Sequence, residues 1–150
     1  MCIQNVHLRG TLIIRGSGGN NVEFDRSSWL EPGPDGYPTL LIDVPNGTVD
    51  FLFDSVGIDE AARSVDYNED GDQLDTFPQS FEGLVWVNAK WVWFYASAWT
   101  FQGCLVATED VWVEDGVTVQ NDPALASRLI PGFTDGMLHV ERGSIKQGAP

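Results

Sequence analysis

Lysine and cysteine are scarce in this sequence, and no long apolar run is present. Only two of its 150 residues are lysine, against 22 acidic residues, and the formal net charge is −14. So large a negative charge argues against direct binding to nucleic acid or to an anionic membrane, because both would repel it. Few lysines and abundant aspartate are typical of proteins from halophiles, where high salt screens repulsion between like charges. The partners that this charge favours are cations and basic proteins.

The few cysteines and histidines do not form a pattern that carries chemistry. Cys2 and Cys104 are far apart, and zinc sites need closely spaced cysteine and histidine pairs. His7 and His139 are the two histidines, and the chain contains no G-x-S-x-G or G-K-[ST] motif. Pairs of acidic residues are frequent, but 22 acids produce such pairs by chance. The sequence therefore predicts a protein that is not an enzyme.

The N-terminal segment has none of the features of a secretory signal peptide. Residues 1–10 lack a basic stretch followed by an apolar one. The most apolar stretch, Trp91 to Trp99, is far shorter than the ~20 residues of a transmembrane helix. We therefore expect a protein that is synthesised in the cytoplasm without a signal peptide, has no membrane partner, and is kept in the cell or packaged into a virion.

Much of the chain shows the alternation of apolar and polar residues that indicates half-buried strands. In the first such segment, Ile3 to Arg15, apolar residues recur at every second position. Pro45-Asn46-Gly47 predicts a hairpin between strands at about 39–44 and 48–53, since Asn-Gly favours the positive φ angles of a tight turn. Glu114-Asp115-Gly116 predicts a second hairpin.

Helix signals are confined to two short segments. Residues 58–65 place apolar side chains on one stripe of a helix, and Asp122-Pro123 is a typical start for a helix over about 123–130. No internal repeat or linker is apparent. The sequence therefore predicts a single mainly β domain over residues 1–150, a β sandwich or barrel with two short helices.

The densest apolar segment is Leu84 to Thr108, which contains four of the six tryptophans. Unlike the first strand, it is apolar on both faces, and a strand of that kind is usually buried on both. We expect either the central hairpin of a two-layer fold or an interface between subunits here. The predicted interface residues are Trp91, Trp93, Phe94, Tyr95 and Trp99.

The acidic segment from Asp66 to Asp72 matches the start of an EF-hand-type calcium loop, D-x-[DN]-x-[DN]-G. Oxygen ligands at alternate positions of such a loop converge on one hard cation, and the glycine permits a sharp turn. The match is incomplete because Phe77 stands where a bidentate glutamate is usual, although Asp75 is available as a replacement. A solvated acidic turn explains the same residues. The predicted calcium ligands are Asp66, Asn68, Asp70 and Asp72.

These features favour an assembly protein over a catalyst. The first hypothesis is a non-enzymatic structural protein: a capsid, decoration or tail component of a virus with a halophilic host, present as a homo-oligomer or within a larger assembly. One alternative is an acidic inhibitor that mimics DNA, such as an anti-defence protein. Its weakness is that the acids are spread along the chain. The other alternative is a calcium-dependent binding module.

Overall fold

The computed structural model describes residues 1–4, 6–25, 28–33, 37–52, 58–77, 80–95 and 99–122. This part of the chain is mainly β, as predicted from the sequence. The strands are β1 (Cys2–Ile3), β2 (Val6–Arg9), β3 (Leu12–Arg15), β4 (Val22–Phe24), β5 (Ser28–Glu31), β6 (Leu40–Leu52), β7 (Ile58–Asp59), β8 (Thr76–Phe77), β9 (Ser80–Tyr95), β10 (Trp99–Ala107), β11 (Asp110–Val113) and β12 (Val117–Asn121), and the helix is α1 (Glu60–Arg63).

Ten of the described strands join one sheet, and the pairings between them are parallel. One row of outward-facing residues crosses five neighbouring strands. In this row Cys2 lies beside Glu23, Glu23 beside Asp50, Asp50 beside Trp93, and Trp93 beside Trp112. The chain thus returns to the same position after each circuit while running in the same direction. This arrangement is a parallel β-solenoid, in which each coil stacks on the one before it.

The solenoid has three faces because its long strands turn corners. The first face contains β1, β4, the second half of β6, the second half of β9, and β11. The second face contains β2, β5, the starts of β9 and β10, and β12. The third face contains β3, the first half of β6, the middle of β9, and the second half of β10.

The core fills the inside of the coil with rows of equivalent apolar residues. Phe51 stacks on Phe24 and on Phe94, with ring centroids 5.1 Å and 4.7 Å apart. All three rings come from the first face. Phe81, from the second face, meets Phe24 and Phe51 edge-on at 6.4 Å and 5.4 Å. The faces therefore share one core, and the burial of its aromatic and aliphatic side chains stabilises the fold.

In the last coil that the structure describes, inward-facing side chains are more exposed to solvent than in the coils before it. Val113 and Val119 extend the inward rows of Phe94 and Phe101. Their side chains are nevertheless 45% and 52% exposed, whereas both phenylalanines are buried. Stacking between coils is what buries such rows, so a coil with one described neighbour keeps part of its apolar surface exposed.

The structure corrects the predicted hairpins. At Pro45-Asn46-Gly47, β6 continues through the predicted turn, and its register against β9 shifts between Val44 and Thr48. The Asn-Gly pair bends the strand from the third face to the first instead of reversing it. The central hairpin within Leu84 to Thr108 is also wrong, because β9 and β10 are parallel. β9 makes most of a circuit alone, so β10 begins beside the start of β9, with Thr100 next to Ser80.

The hairpin at Glu114-Asp115-Gly116 is likewise absent, since β11 pairs with β9 and β12 with β10. The sheet is therefore a wound coil, neither a closed barrel nor a stack of antiparallel hairpins. Tight-turn residues fit both a hairpin and a solenoid corner, because each needs a sharp change of chain direction.

The predicted first helix is shorter than expected. α1 spans one turn, preceded by β7 and ended by Ser64, whose φ of 55° is left-handed. The predicted helix over 123–130 lies outside the described residues. In the part of the chain that the structure describes, no helix has the length and apolarity to cross a membrane.

Candidate functional site

The predicted calcium loop lies on a segment that leaves the solenoid between β6 and β9. We call residues 58–77 the acidic excursion. Its ends, β7 and β8, pair as antiparallel strands, with Ile58 opposite Phe77. Asp59 caps α1, since its Oδ1 accepts a hydrogen bond from the Ala62 N–H at 3.1 Å. The acidic excursion is therefore a small closed unit whose turn carries the predicted ligands.

All four predicted ligands fall within one tight loop, held by hydrogen bonds from its own backbone. The Gly71 N–H donates to Asp66 Oδ2 at 3.0 Å, and the Asp70 N–H donates to Asn68 Oδ1 at 3.2 Å. The Asp72 N–H donates to Asp70 Oδ1 at 3.1 Å. Gly71 has a φ of 98°, in the left-handed region that glycine adopts without steric cost. The glycine thus has the role that the motif assigns to it.

Three carboxylates converge beside this loop, and the sequence motif indicated only part of the group. One oxygen each from Glu60, Asp72 and Asp75 lie within 4.8 Å of one another. Glu60 is buried and accepts hydrogen bonds from the N–H groups of Tyr67, at 2.6 Å, and Asp75, at 3.3 Å. The motif did not reveal Glu60, because an acid in the first turn of a helix is ordinary.

The turn from Asp66 to Asp75, which we call the acidic loop, concentrates negative charge that its own hydrogen bonds only partly offset. The Asn68 amide donates to Asp70 Oδ2 at 3.0 Å and to Asp75 Oδ2 at 2.8 Å. The bond from Asn68 lowers the pKa of Asp75. Desolvation and the charges of Asp70, Glu60 and Asp72 outweigh it, so this pKa lies above its usual value. A cation bound here would relieve the crowding.

One carboxylate oxygen of the loop is buried and unpaired. Among the described residues, Asp66 Oδ1 has no hydrogen-bond partner. Burying an unpaired polar atom costs about 1–3 kcal/mol, and more for a charged group. Asp66 is the first position of the calcium motif, so this oxygen is where the motif places a ligand atom.

His7 joins the acidic excursion to the second face of the solenoid. Its ring stacks on Trp29, with centroids 4.0 Å apart and planes 7° apart, and Trp29 in turn stacks on Phe77 at 4.5 Å. Nδ1 of His7 lies 2.6 Å from the carbonyl oxygen of Tyr67, and Nε2 lies 3.2 Å from Oε2 of Glu31. The histidine is a contact between two parts of the fold.

The first face carries a second feature, which we call the aromatic ladder: Trp91, Trp93, Tyr95 and Trp112. Trp93 stacks on Trp112 at 5.2 Å and on Tyr95 at 5.6 Å, with planes 12° and 10° apart. Trp91, Trp93 and Tyr95 are half-buried, and Trp112 is 46% exposed. The Nζ of Lys90 lies 5.6 Å from the Trp91 ring centroid, a distance typical of a cation–π contact.

The predicted interface residues do not all belong to this ladder. Phe94 faces the core and is 4% exposed, so it does not reach the outer surface. Trp99 begins β10 on the second face, and its side chain lies outside the described set. Trp112 was missed, because only the parallel register of β11 with β9 places it beside Trp93.

Carboxylates continue the row of the aromatic ladder. Glu23 and Asp50 occupy the two coils before Trp93 on the same outward row. Burial raises the pKa of Asp50, and the neighbouring charge of Glu23 adds to that rise. Burial also raises the pKa of Tyr95, helped by the charges of Asp50 and Glu114. The outer surface thus combines half-exposed aromatic rings with negative charge.

Comparison with protein-family models, curated proteins and solved structures finds no match to this chain. Within the described residues, the candidate binding sites are two surface features of one solenoid: the acidic loop, and the aromatic ladder with the carboxylates that border it.

Proposed function

We propose that this chain is a non-enzymatic structural protein that assembles with further copies of itself through the aromatic ladder. The observation that supports this is the partial exposure of four neighbouring aromatic side chains on one face, three of them stacked, with Trp112 46% exposed. Tryptophan and tyrosine are enriched at protein interfaces, where they bury large areas. A solenoid is also a suitable support, because its stacked coils hold outward rows in fixed register.

Charge sets the conditions under which such assembly is expected. The formal net charge of −14 opposes the approach of two copies in low salt. Salt shortens the range of that repulsion, from about 10 Å at 0.1 M to about 3 Å at 1 M. We therefore propose a homo-oligomer or larger assembly that forms in high salt. Within that class, the specific proposal is a virion component, as capsid, decoration or tail protein, of a virus with a halophilic host.

Molar mass by light scattering tests this assembly. Wild type and the Trp112→Ser variant are compared in low salt and in multimolar KCl, over a series of protein concentrations. We expect a defined wild-type oligomer in KCl and an association weakened about 30-fold by Trp112→Ser, the effect of losing about 2 kcal/mol at an interface.

Leu74→Ser is the matched control, since Leu74 is 82% exposed on the acidic excursion and distant in sequence from the aromatic ladder. It should associate like wild type. A wild type that stays monomeric in both salts, or a Trp112→Ser variant that associates like the control, would contradict the proposal.

We propose calcium binding by the acidic loop as a second function, favoured by the buried, unpaired Asp66 Oδ1. Calcium takes six to eight oxygen ligands at about 2.3–2.6 Å. Asp66, Asn68, Asp70 and Asp72 would supply side-chain oxygens, with Asn68 turning its amide oxygen toward the ion. Asp75 adds a further carboxylate close to them.

Titration calorimetry with CaCl2 tests this second proposal on wild type, Asp66→Asn and Glu109→Gln. We expect one ion per wild-type chain and binding at least tenfold weaker in Asp66→Asn, which keeps an oxygen acceptor for the Gly71 N–H but loses the charge. Glu109 is an exposed acid outside the loop, so its variant should bind like wild type. Absence of calcium uptake by wild type, or equal uptake by all three proteins, would exclude a calcium site here.

A further inference from the structure

The end of the solenoid formed by β11 and β12 is open in the part of the chain that the structure describes. Each of these strands pairs along one edge only, β11 with β9 and β12 with β10. Val113 and Val119 continue inward rows of the core, yet they are 45% and 52% exposed. Proteins normally cover a strand edge that borders an exposed apolar row, because such an edge otherwise pairs with another chain.

The chain continues directly from this open end. The Asp122 N–H donates to the carbonyl oxygen of Gly103 at 3.1 Å, so β12 remains paired with β10 up to that residue. Residues 123–150 follow, outside the described part of the chain. Pro123 is the first of them, and its fixed φ of about −65° suits the first turn of a helix. The segment that follows β12 therefore begins at the open end itself.

The helix that the sequence predicts over about 123–130 has an apolar stripe suited to an open core. Leu125 and Leu129 are four residues apart on this stripe, and Ser127 falls on the opposite side. Eight helical residues span about 12 Å, and packed sheets lie about 10 Å apart. Such a helix is long enough to cross the inside of the coil and to place its apolar stripe over the two exposed valines.

The distribution of charge favours this segment over a second copy as the cover of the open end. Residues 1–122 contain five basic and 20 acidic residues, a net charge of −15, whereas residues 123–150 contain three basic and two acidic residues, a net charge of +1. Exposed acids border the open end, among them Asp110, Glu114 and Asp115. A second copy would add negative charge to this border. The C-terminal segment does not, and its covalent link keeps it at a high effective concentration.

We propose that residues 123–130 cap the open end of the solenoid, with Leu125 and Leu129 packed against Val113 and Val119. The cap buries the inward rows of the last coil and covers strand edges that would otherwise pair with another copy. Stacking of copies end to end would build open filaments, because such contacts do not close on themselves. The cap prevents this stacking and leaves the outer faces of the solenoid as the surfaces for assembly.

Disulfide trapping in the full chain tests the cap. In a Cys2→Ser background, Val119→Cys is combined with Leu129→Cys or, as the matched control, with Ser127→Cys. The buried Cys104 is common to both proteins. We expect positions 119 and 129 to form an intramolecular disulfide about tenfold faster than positions 119 and 127, because a docked cap directs only its apolar stripe inward. Peptide mass spectrometry of the monomer identifies each bond.

Equal rates for the two pairs would overturn the proposal, because a segment that is not docked presents both positions alike. A bond that forms mainly between two chains would also overturn it, since a second copy would then occupy the open end. Hydrogen exchange provides a readout without introduced cysteines. Leu129→Ser should lower the protection of the β12 amides about tenfold, and Ser127→Ala should match wild type. Unchanged protection of β12 in Leu129→Ser would contradict the cap.

Discussion

Replacing Gly103 with alanine should lower the free energy of unfolding by about 3–5 kcal/mol, or prevent folding altogether. Gly103 lies directly beside Gly83 in the parallel register of β10 and β9. A Cβ at Gly103 would overlap the carbonyl oxygen of Gly83 and would lie 2.8 Å from its carbonyl carbon and 2.9 Å from its nitrogen. The clash is with backbone, so no side-chain rotation can relieve it.

Gly83 cannot move away easily, because it lies within the long strand β9, which pairs with strands on both sides. Gly83 itself has a φ of 103°, which L side chains rarely adopt. The two glycines thus allow adjacent coils to turn the corner from the second to the third face at close distance.

Urea unfolding of wild type, Gly103→Ala and Gly19→Ala in the same salt checks this expectation. Gly19 is the control because a Cβ there meets only Asn46 O at 3.4 Å, an ordinary contact. We expect a loss of less than about 1 kcal/mol for Gly19→Ala. Equal midpoints for the two alanine variants would show that the coils do not approach each other at Gly103.

Phe51→Ala should be the second most damaging change, with a loss of about 3–5 kcal/mol. Phe51 is fully buried, and its ring is stacked between Phe24 and Phe94 while Phe81 meets its edge. Removing it interrupts the row of rings and leaves a cavity that neighbouring coils, fixed by their parallel pairing, can only partly fill.

Phe77→Ala provides a matched control, because Phe77 is a half-buried phenylalanine on the acidic excursion and not in the core. Its loss should cost about 1–2 kcal/mol through the stack with Trp29. Urea denaturation, monitored by far-ultraviolet circular dichroism, compares the free energies of unfolding of the two variants. A Phe51→Ala protein as stable as Phe77→Ala would contradict the position of Phe51 at the centre of the coil.

The strands could be predicted from the sequence, but their pairing could not. Alternation marks Ile3 to Arg15 as strand, but it does not show that the segment divides into β1, β2 and β3, each with a different partner. The segment from Leu84 to Thr108 is typical of a hairpin because neighbouring strands usually pair, whereas β9 is long enough to complete most of a circuit. The sequence does not reveal the repeat, because what repeats is the position of residues in the coil and not their spacing along the chain. Ile14, Ile42 and Val87 occupy one inward row in coils of unequal length.

The acidic loop was predictable because its pattern is local. Asp66, Asn68 and Asp70 form their loop with residues a few positions away, so the sequence alone indicates the turn. Trp112 was not predictable, since its place beside Trp93 depends on the register between two coils. The alternation of Trp93 and Phe94 assigned them to opposite faces, but both are apolar, so it did not show which side chain faces inward.

Radical footprinting of the aromatic ladder tests the proposed interface most directly. Oxidation of Trp112 is measured in low salt and in multimolar KCl, relative to Tyr37, which has the same 46% exposure. We predict that Trp112 becomes severalfold more protected than Tyr37 under the conditions in which the molar mass rises. An oligomer in which Trp112 reacts as readily as in the monomer would contradict an interface at the aromatic ladder.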